Sequence, residues 1–255
     1  MTNFYDWNLK EKYYKMASDV NKKFIETRQF KKMLSFIEEV FSGKDKINIA
    51  EFWCGEWWKL LPFNNDKFTI SWFDISSYAL KIAKNNIPKG NFYNHDITKT
   101  IDFKEKYDVS MSFFALEHIP NPLAAIDNMI NSLKEWWYLI LRYPNYGSFL
   151  FPSPPLIYRY KFHKAFLILG RLIKRFYKST IYDNVIPVED NYEKPDYDVT
   201  TELHMKATES YIINQWCKLI YHSSCREEIK GLGNYCKLLP NGKYIGPQSF
   251  FIFQK

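Results

Sequence analysis

The chain has 255 residues, 46% hydrophobic and 25% charged, and a net charge of +7. That length supports one globular domain with a sizeable core, or a domain carrying an insertion, and the composition excludes a disordered, collagen-like or low-complexity chain. No apolar run reaches the roughly 18 residues that a membrane-spanning helix needs, and the polar start, Met1 to Asp6, lacks the apolar stretch of a secretory signal. Cys54, Cys217, Cys225 and Cys236 are scattered without a CxxC pair. They fit a reducing cytoplasm better than a disulfide framework or a zinc site. The positive charge permits an anionic partner, but a lysine excess reads first as a solvated surface.

Residues from about Leu9 to Phe41 carry apolar positions at helical spacing, among them Phe24, Phe30, Leu34 and Ile37. Ile47 to Phe52 reads as a buried strand, followed by a sharp turn and a short helix ending near Pro62. Phe68 to Phe73 is a second strand, closed by Asp74; Ser76 to Asn86 is a helix with a serine start. Asn91 to Asn94 is a short strand ending near Asp96, and Val109 to Phe113 is a fourth, introduced by Tyr107 and Asp108. A helix over Pro122 to Lys134 leads through Trp136 and Trp137 into a fifth strand, Tyr138 to Tyr143. This alternation predicts a doubly wound α/β sheet with its ligand at the carboxyl ends of the strands. After Gly147 the chain turns rich in aromatic, proline and basic residues, and from about Met205 the pattern resumes with a helix to Gln215 and strands at Lys218 to Ser223 and Phe250 to Phe253.

Glycine is scarce, 9 residues or about 3.5% against an ordinary usage of about 7%, while tryptophan reaches 8. Trp53, Trp57 and Trp58 fall on the turn after the first strand, and Trp136 and Trp137 fall at a helix end. Both places ask for positive φ or close backbone approach, which glycine gives and tryptophan does not. The expectation is that most of these tryptophans stand where the native protein carries glycine, through UGA codons translated as Trp in a gene whose lineage reads them as Gly. The Lys, Asn, Ile, Phe and Tyr richness fits an AT-rich genome of that kind. The alternative is a genuinely Trp-rich protein with a degenerate loop, whose indoles would obstruct a ligand there.

Three stretches resemble class I S-adenosylmethionine-dependent methyltransferases. Glu51-Phe52-Trp53-Cys54-Gly55-Glu56-Trp57 becomes that family's acid-x-G-x-G-x-G loop when positions 53 and 57 are glycine. Trp72-Phe73-Asp74-Ile75-Ser76 is similar to its G-x-D-x-S segment, and Tyr107 to Ser112, followed by Leu116-Glu117-His118-Ile119-Pro120, is similar to its FDVV…LEHLP segment. Leu133 to Tyr138 is similar to its LKPGG turn, and Trp216 stands where a glycine often precedes the sixth strand. A glycine loop alone would also fit a dinucleotide-binding pattern with Asp74 as its acid; the other segments favour the methyltransferase.

The resemblance implies a Rossmann-like, mostly parallel seven-stranded sheet with helices on both faces and a lid insertion after strand five. The corresponding division is an N-terminal helical segment 1–44, a cofactor core 45–147, a lid 148–204 and a C-terminal completion of the sheet 205–255. It also implies S-adenosylmethionine as cofactor, held by Glu51, Trp53, Cys54, Gly55, Trp57, Asp74, Ile75, Asp96, Ile97, Ser112, Phe113 and Phe114. In that assignment Asp74 takes the ribose hydroxyls, Asp96 the adenine amino group and Ile97 the ring face, with a helix-cap role for Asp74 and a simple turn role for Asp96 as alternatives. Glu117 and His118 are catalytic candidates if the acceptor is a hydroxyl, with a structural role as the alternative. His95, His163, His204 and His222 show no metal-ligand spacing.

On the acceptor side, Ser153-Pro154-Pro155-Leu156 is similar to the N/D-P-P-Y motif of nitrogen methylation but follows the wrong strand. Lys161 to Lys178 is a basic amphipathic stretch, read as a lid helix on the sheet or as a contact to a membrane or a lipid-linked acceptor. Asp190 to Asp198 is a candidate completion of the acceptor pocket. The expected partner is a small-molecule, glycan or lipid-linked acceptor. A non-catalytic scaffold on the same fold and an RNA methyltransferase are the rivals, the latter without a recognisable RNA-binding module.

Overall fold

The computed structural model describes residues 24–52, 57–148, 151, 153–159, 169–170, 180–187, 199–224, 244 and 246–255. The loop residues Trp53 to Glu56, nearly all of Lys161 to Lys178 (His163 included), all of Asp190 to Asp198, the first part of the helical stretch expected from about Leu9, Cys225 and Cys236 lie outside the described residues. The chain divides into two compact units, residues 1–112 with 126–137, and residues 113–125 with 138–255.

The first unit begins with α1 (Arg28–Val40). Thr27 caps it by accepting the Phe30 N–H at 3.3 Å, and Phe30, Met33 and Ile37 form its buried stripe. Then come β1 (Ile47–Phe52), a 3₁₀ turn (Trp57–Phe63), β2 (Phe68–Asp74), α2 (Ser77–Asn86), β3 (Asn91–Asn94) and β4 (Tyr107–Phe113). β1 pairs in parallel with β2 and β4, and β2 with β3. β1 and β4 read as nearly continuous buried runs because a parallel strand is covered on both faces. Phe52, Phe73 and Tyr93 are in register and stack at 4.8 Å centroid spacings, a ladder just under the carboxyl ends of three strands.

At the opposite ends of β1 and β4, Asp108 is buried. Its Oδ2 accepts the Asn48 N–H at 2.8 Å, and its Oδ1 receives Lys44 at 2.6 Å and Lys134 at 2.9 Å. Burial works against the charge, but those three donors overcome it and hold the carboxyl below its usual range.

α3 (Pro122–Ser132) runs directly into β5 (Leu133–Pro144). The expected helix to Lys134 and turn at Trp136–Trp137 are therefore corrected: the helix stops at Ser132 and the extended run begins at once. Within that run Trp136 has φ 68° and is 75% exposed. Trp137 packs, stacking on Phe41 at 5.1 Å with the Lys44 Nζ 4.1 Å from its ring centroid.

The second unit holds most of β5, α4 (Pro154–Arg159), β6 (Tyr182–Asn184), β7 (Thr201–Leu203), α5 (Met205–Asn214), β8 (Lys218–Ser223) and β9 (Gln248–Gln254). β9 is antiparallel to β5 and to β8, and β6 with β7 forms a separate two-stranded ribbon. Phe250 to Phe253 is fully buried core. The helix α5 ends at Asn214 with Gln215 as its C-cap, and the next residue, Trp216, has φ 65° and is 94% exposed. A left-handed residue just past a helix end is the position that favours glycine. The main sheet has seven strands in the order β3-β2-β1-β4-β5-β9-β8, mostly parallel and Rossmann-like.

Candidate functional site

In the first unit the predicted residues cluster at the carboxyl ends of β1, β2 and β3. Glu51 is the penultimate residue of the central strand β1, in register with Trp72 on one side and Met111 on the other. Side chains alternate along a strand, so Glu51, Trp72 and Asp74 share one face while Phe52 and Phe73 take the other. Glu51 is fully buried, and both carboxylate oxygens lack a hydrogen-bond partner among the described residues. Burial pushes its pKa up to about 8; the Lys59 ammonium, 3.9 Å away, works against that rise and the nearby Asp74 carboxylate adds to it.

Asp74 closes β2 and is itself buried. Its Oδ1 accepts the Ser76 N–H at 2.7 Å, while Ser76 supplies the cap of α2 by accepting the Ala79 N–H. The helix-cap alternative for Asp74 thus passes to Ser76. Ile75 is fixed by its main chain: its carbonyl and that of Asp74 both accept from the Asn94 amide, at 2.8 and 3.1 Å. Asp96 makes a local turn in which its Oδ1 accepts the Thr98 N–H at 2.9 Å and the Thr98 hydroxyl at 2.7 Å. Ile97 is buried, and the Asn128 amide donates to the carbonyls of Ile97 and Lys99 at 2.6 and 2.7 Å.

Trp57 opens the 3₁₀ turn; positions 53 to 55 lie outside the described residues. Ser112 is buried at the end of β4. Sequence reasoning missed Lys59, Asn94 and Asn128. Lys59 carried one signal, a lysine inside an otherwise apolar turn; the two asparagines carried none, since their partners are main-chain atoms 19 to 31 residues away.

In the second unit β4 ends at buried Phe113 and the chain turns at Phe114, whose φ is 54°. A bulky residue there is strained, and its N–H is held by the Arg142 carbonyl at 2.7 Å. The buried Arg142 guanidinium lies 5.3 Å from the Phe114 ring centroid and donates through Nε and Nη2 to Gln248 Oε1. Leu116–His118 then form one 3₁₀ turn that buries both Glu117 and His118, with Glu117 Oε1 3.8 Å from His118 Nε2. His204 meets Asp183 at 3.1 Å, and His222 meets Glu209 at 2.7 Å, whose other oxygen accepts from the Tyr244 hydroxyl at 2.9 Å. Among the described residues no group of three or more His, Cys, Asp or Glu is placed to hold a metal ion, and no helix is long and apolar enough to cross a membrane.

The donor set suits an amino-acid nucleoside. Glu51 is a buried carboxyl whose oxygens have no hydrogen-bond partner among the described residues, and Asp74, a second buried carboxyl, lies on the same strand face.

Comparison with known proteins agrees. The family described as "Methyltransferase domain" matches residues 24–177. No curated protein matches the chain. Among solved structures, the plantazolicin methyltransferase BpumL in complex with SAH is similar at TM-score 0.59 and 15% identity, covering 99% of this chain and 91% of that one. An S-adenosylmethionine-dependent methyltransferase from Clostridium acetobutylicum ATCC 824 is similar at TM-score 0.55 and 15% identity, covering 95% and 98%. The [4+2]-cyclase SpnF is similar at TM-score 0.53 and 10% identity, covering 88% and 80%, so likeness of fold alone does not define the chemistry. The match over more than half its length places the chain in the methyltransferase domain family. It is a class I S-adenosylmethionine-dependent methyltransferase.

Proposed function

We propose that the chain transfers the methyl group of S-adenosylmethionine to a small-molecule or glycan-type acceptor, with 45–147 as the cofactor core and 148–204 as the acceptor-binding insertion. The cofactor supplies an already activated methyl group, so the protein's part is placement. Glu51 receives the cofactor's amino group, Asp74 the ribose hydroxyls, and Asp96 with Ile97 the adenine edge and face. The turn at 53–57 lies against the cofactor as bare backbone, and Ser112 to Phe114 borders the reacting methyl. Glu117 and His118 orient or deprotonate a hydroxyl acceptor. The observation that carries this reading is the buried Glu51 carboxyl, without a hydrogen-bond partner among the described residues and close enough to Asp74 to feel its charge.

The native residue at 53, 57, 136 and 216 is glycine in this reading. Support comes from Trp136 and Trp216, two exposed indoles on left-handed backbone. Trp72, by contrast, is buried edge-on against Phe92 at 4.7 Å, and Trp137 is stacked, so the geometry there lends no support to glycine. The buried Cys217 thiol fits a reducing, cytoplasmic setting.

Two measurements test the proposal. Calorimetry with S-adenosylhomocysteine should give binding for the chain with glycine at 53, 57, 136 and 216; no binding sinks the cofactor assignment. Mass spectrometry of the native protein should give glycine-bearing peptides at those positions; tryptophan at 53 and 57 sinks the codon reading.

A further inference from the structure

We infer that β7 is a strap that fixes the Glu117–His118 turn, with Thr201 as its positioning residue; this rests on Glu117 and His118 being the acceptor-side pair proposed above. The Thr201 hydroxyl is fully buried and faces three carbonyl oxygens of that turn: Leu116 at 3.0 Å, Ile119 at 3.3 Å and Glu117 at 3.4 Å. One O–H donates a single bond at a time, so three carbonyls share one donor. The neighbouring Thr200 adds its N–H to the Glu117 carbonyl at 2.9 Å and its hydroxyl at 3.4 Å. The whole grip is on main-chain oxygens. It sets where the Glu117 carboxylate and the His118 imidazole begin without engaging either group.

The rest of the short strand makes the grip rigid. A three-residue strand in an isolated two-stranded ribbon is marginal by itself. Here the far edge of β7 pairs with β6, Glu202 opposite Asp183, and the Val185 N–H reaches the Thr200 carbonyl at 2.8 Å. Glu202, buried, accepts the Ser153 N–H at 2.8 Å at the start of α4. The Leu203 carbonyl accepts the Gly147 N–H at 3.0 Å. β7 thereby ties the turn after β4, the turn after β5 and the ribbon into one body. Part of the proposed acceptor-binding insertion thus shapes the turn that carries the acceptor-side pair.

The test uses the full chain labelled with ¹⁵N-histidine, the His118 resonance being assigned by its loss in His118→Gln. Thr201→Val removes the hydroxyl at nearly constant shape, and Thr201→Ser keeps it. Thr201→Val should move the His118 titration midpoint by about half a unit or more, and Thr201→Ser should restore it, since local hydrogen bonding and burial shift histidines on that scale. Binding of S-adenosylhomocysteine, assigned above chiefly to Glu51, Asp74, Asp96 and Ile97, should change by less than about twofold, corresponding to roughly 0.4 kcal/mol.

An unmoved His118 in Thr201→Val, or no rescue by serine, overturns the strap. Absence of S-adenosylhomocysteine binding in the unsubstituted glycine-bearing chain instead overturns the reading beneath it. Should Thr201→Val not fold, amide exchange in the unsubstituted chain decides: a protected Thr200 N–H supports the strap, and exchange at the rate of an unstructured chain overturns it.

Discussion

The two units hold their key side chains by different means. In the first, Glu51 and Asp74 project from the ends of parallel strands, and the supports around Asp74 and Asp96 are mostly local: Asp74 on Ser76, Ser76 on Ala79, Asp96 on Thr98. In the second, the Glu117–His118 turn is held by Thr200 and Thr201, 82 to 85 residues further on, and Phe114 by Arg142. A strand end with a short turn is a repeating construction whose side chains are held mainly by neighbouring residues, with Asn94 and Asn128 adding main-chain support from 19 to 31 residues away. A turn held from a remote strand can be re-shaped by changing the insertion, leaving the strand-end construction intact.

The sharpest way to break the comparison is to damage the remote support. A Cβ on Gly147 would stand 2.2 Å from the Leu203 carbonyl oxygen and 2.6 Å from its carbon. Gly147→Ala must displace β7, and is expected to cost about 3 kcal/mol of stability. If the first unit is self-sufficient, the loss should appear in thermal unfolding and in the His118 resonance, with S-adenosylhomocysteine affinity changed far less.

Glu51→Gln should do the reverse. Removing the charge should weaken S-adenosylhomocysteine by about 2–3 kcal/mol, on the order of a hundredfold, while leaving His118 unmoved. Because burial pushes the Glu51 pKa up to about 8 and the carboxyl must be ionised to receive an amino group, the affinity of the glycine-bearing chain should rise with pH up to about 8 and then level. Stability takes the opposite sign. The folded pKa lies above the unfolded value of about 4.5, so the fold binds the extra proton and stability declines as pH rises from about 4.5 to 8. Glu51→Gln should flatten both curves. Calorimetry and thermal melts across that range check them together.

Much of the first unit was legible because its structure is written in neighbouring residues. The apolar runs at 47–52 and 107–113, the serine start at 76 and the acids closing strands all follow from periodicity and capping. The strand pairing of Glu51 with Trp72 and Met111, which causes its perturbed carboxyl, was not legible, because no local pattern states which strands are neighbours. In the second unit β6 and β7 escaped for a related reason. Three residues are too few to show alternation, and Thr200 and Thr201 look like ordinary loop residues until their carbonyl partners are known. The end of α3 was misplaced by two residues because the apolar pattern runs unbroken from helix into strand at Leu133.

A smaller effect separates support from site within the first unit. Asp108 lies at the amino ends of β1 and β4, away from Glu51 and Asp74 in register. Asp108→Asn should lower stability by about 2 kcal/mol, less than for a fully buried pair because Lys44 and Lys134 are each about one third exposed. The depressed carboxyl stabilises the fold above the unfolded carboxylate range, and that contribution is lost as pH falls through its folded pKa. The variant's melting curve should therefore lose part of the acid dependence, with S-adenosylhomocysteine affinity unchanged.

The smallest expected effect bears on what the native chain is. Trp136 in the first unit and Trp216 in the second have left-handed φ values of 68° and 65°, and the two residues are 75% and 94% exposed. An L-residue in that region is disfavoured by roughly 1–2 kcal/mol relative to right-handed backbone, and glycine is not. Part of the gain on substitution is offset by the greater freedom of glycine in the unfolded chain. Trp136→Gly and Trp216→Gly should therefore each stabilise by about 1 kcal/mol. Trp137→Gly is the control on the same strand: it removes a ring stacked on Phe41 and covered by Lys44, and should destabilise. If all three substitutions destabilise, the exposed indoles are native residues and the glycine reading of the loop at 53–57 loses its structural support. If the first two stabilise and the third does not, the backbone at 136 and 216 was shaped for a residue without a side chain, and the turn after β1 should be tested as glycine before any cofactor measurement is interpreted.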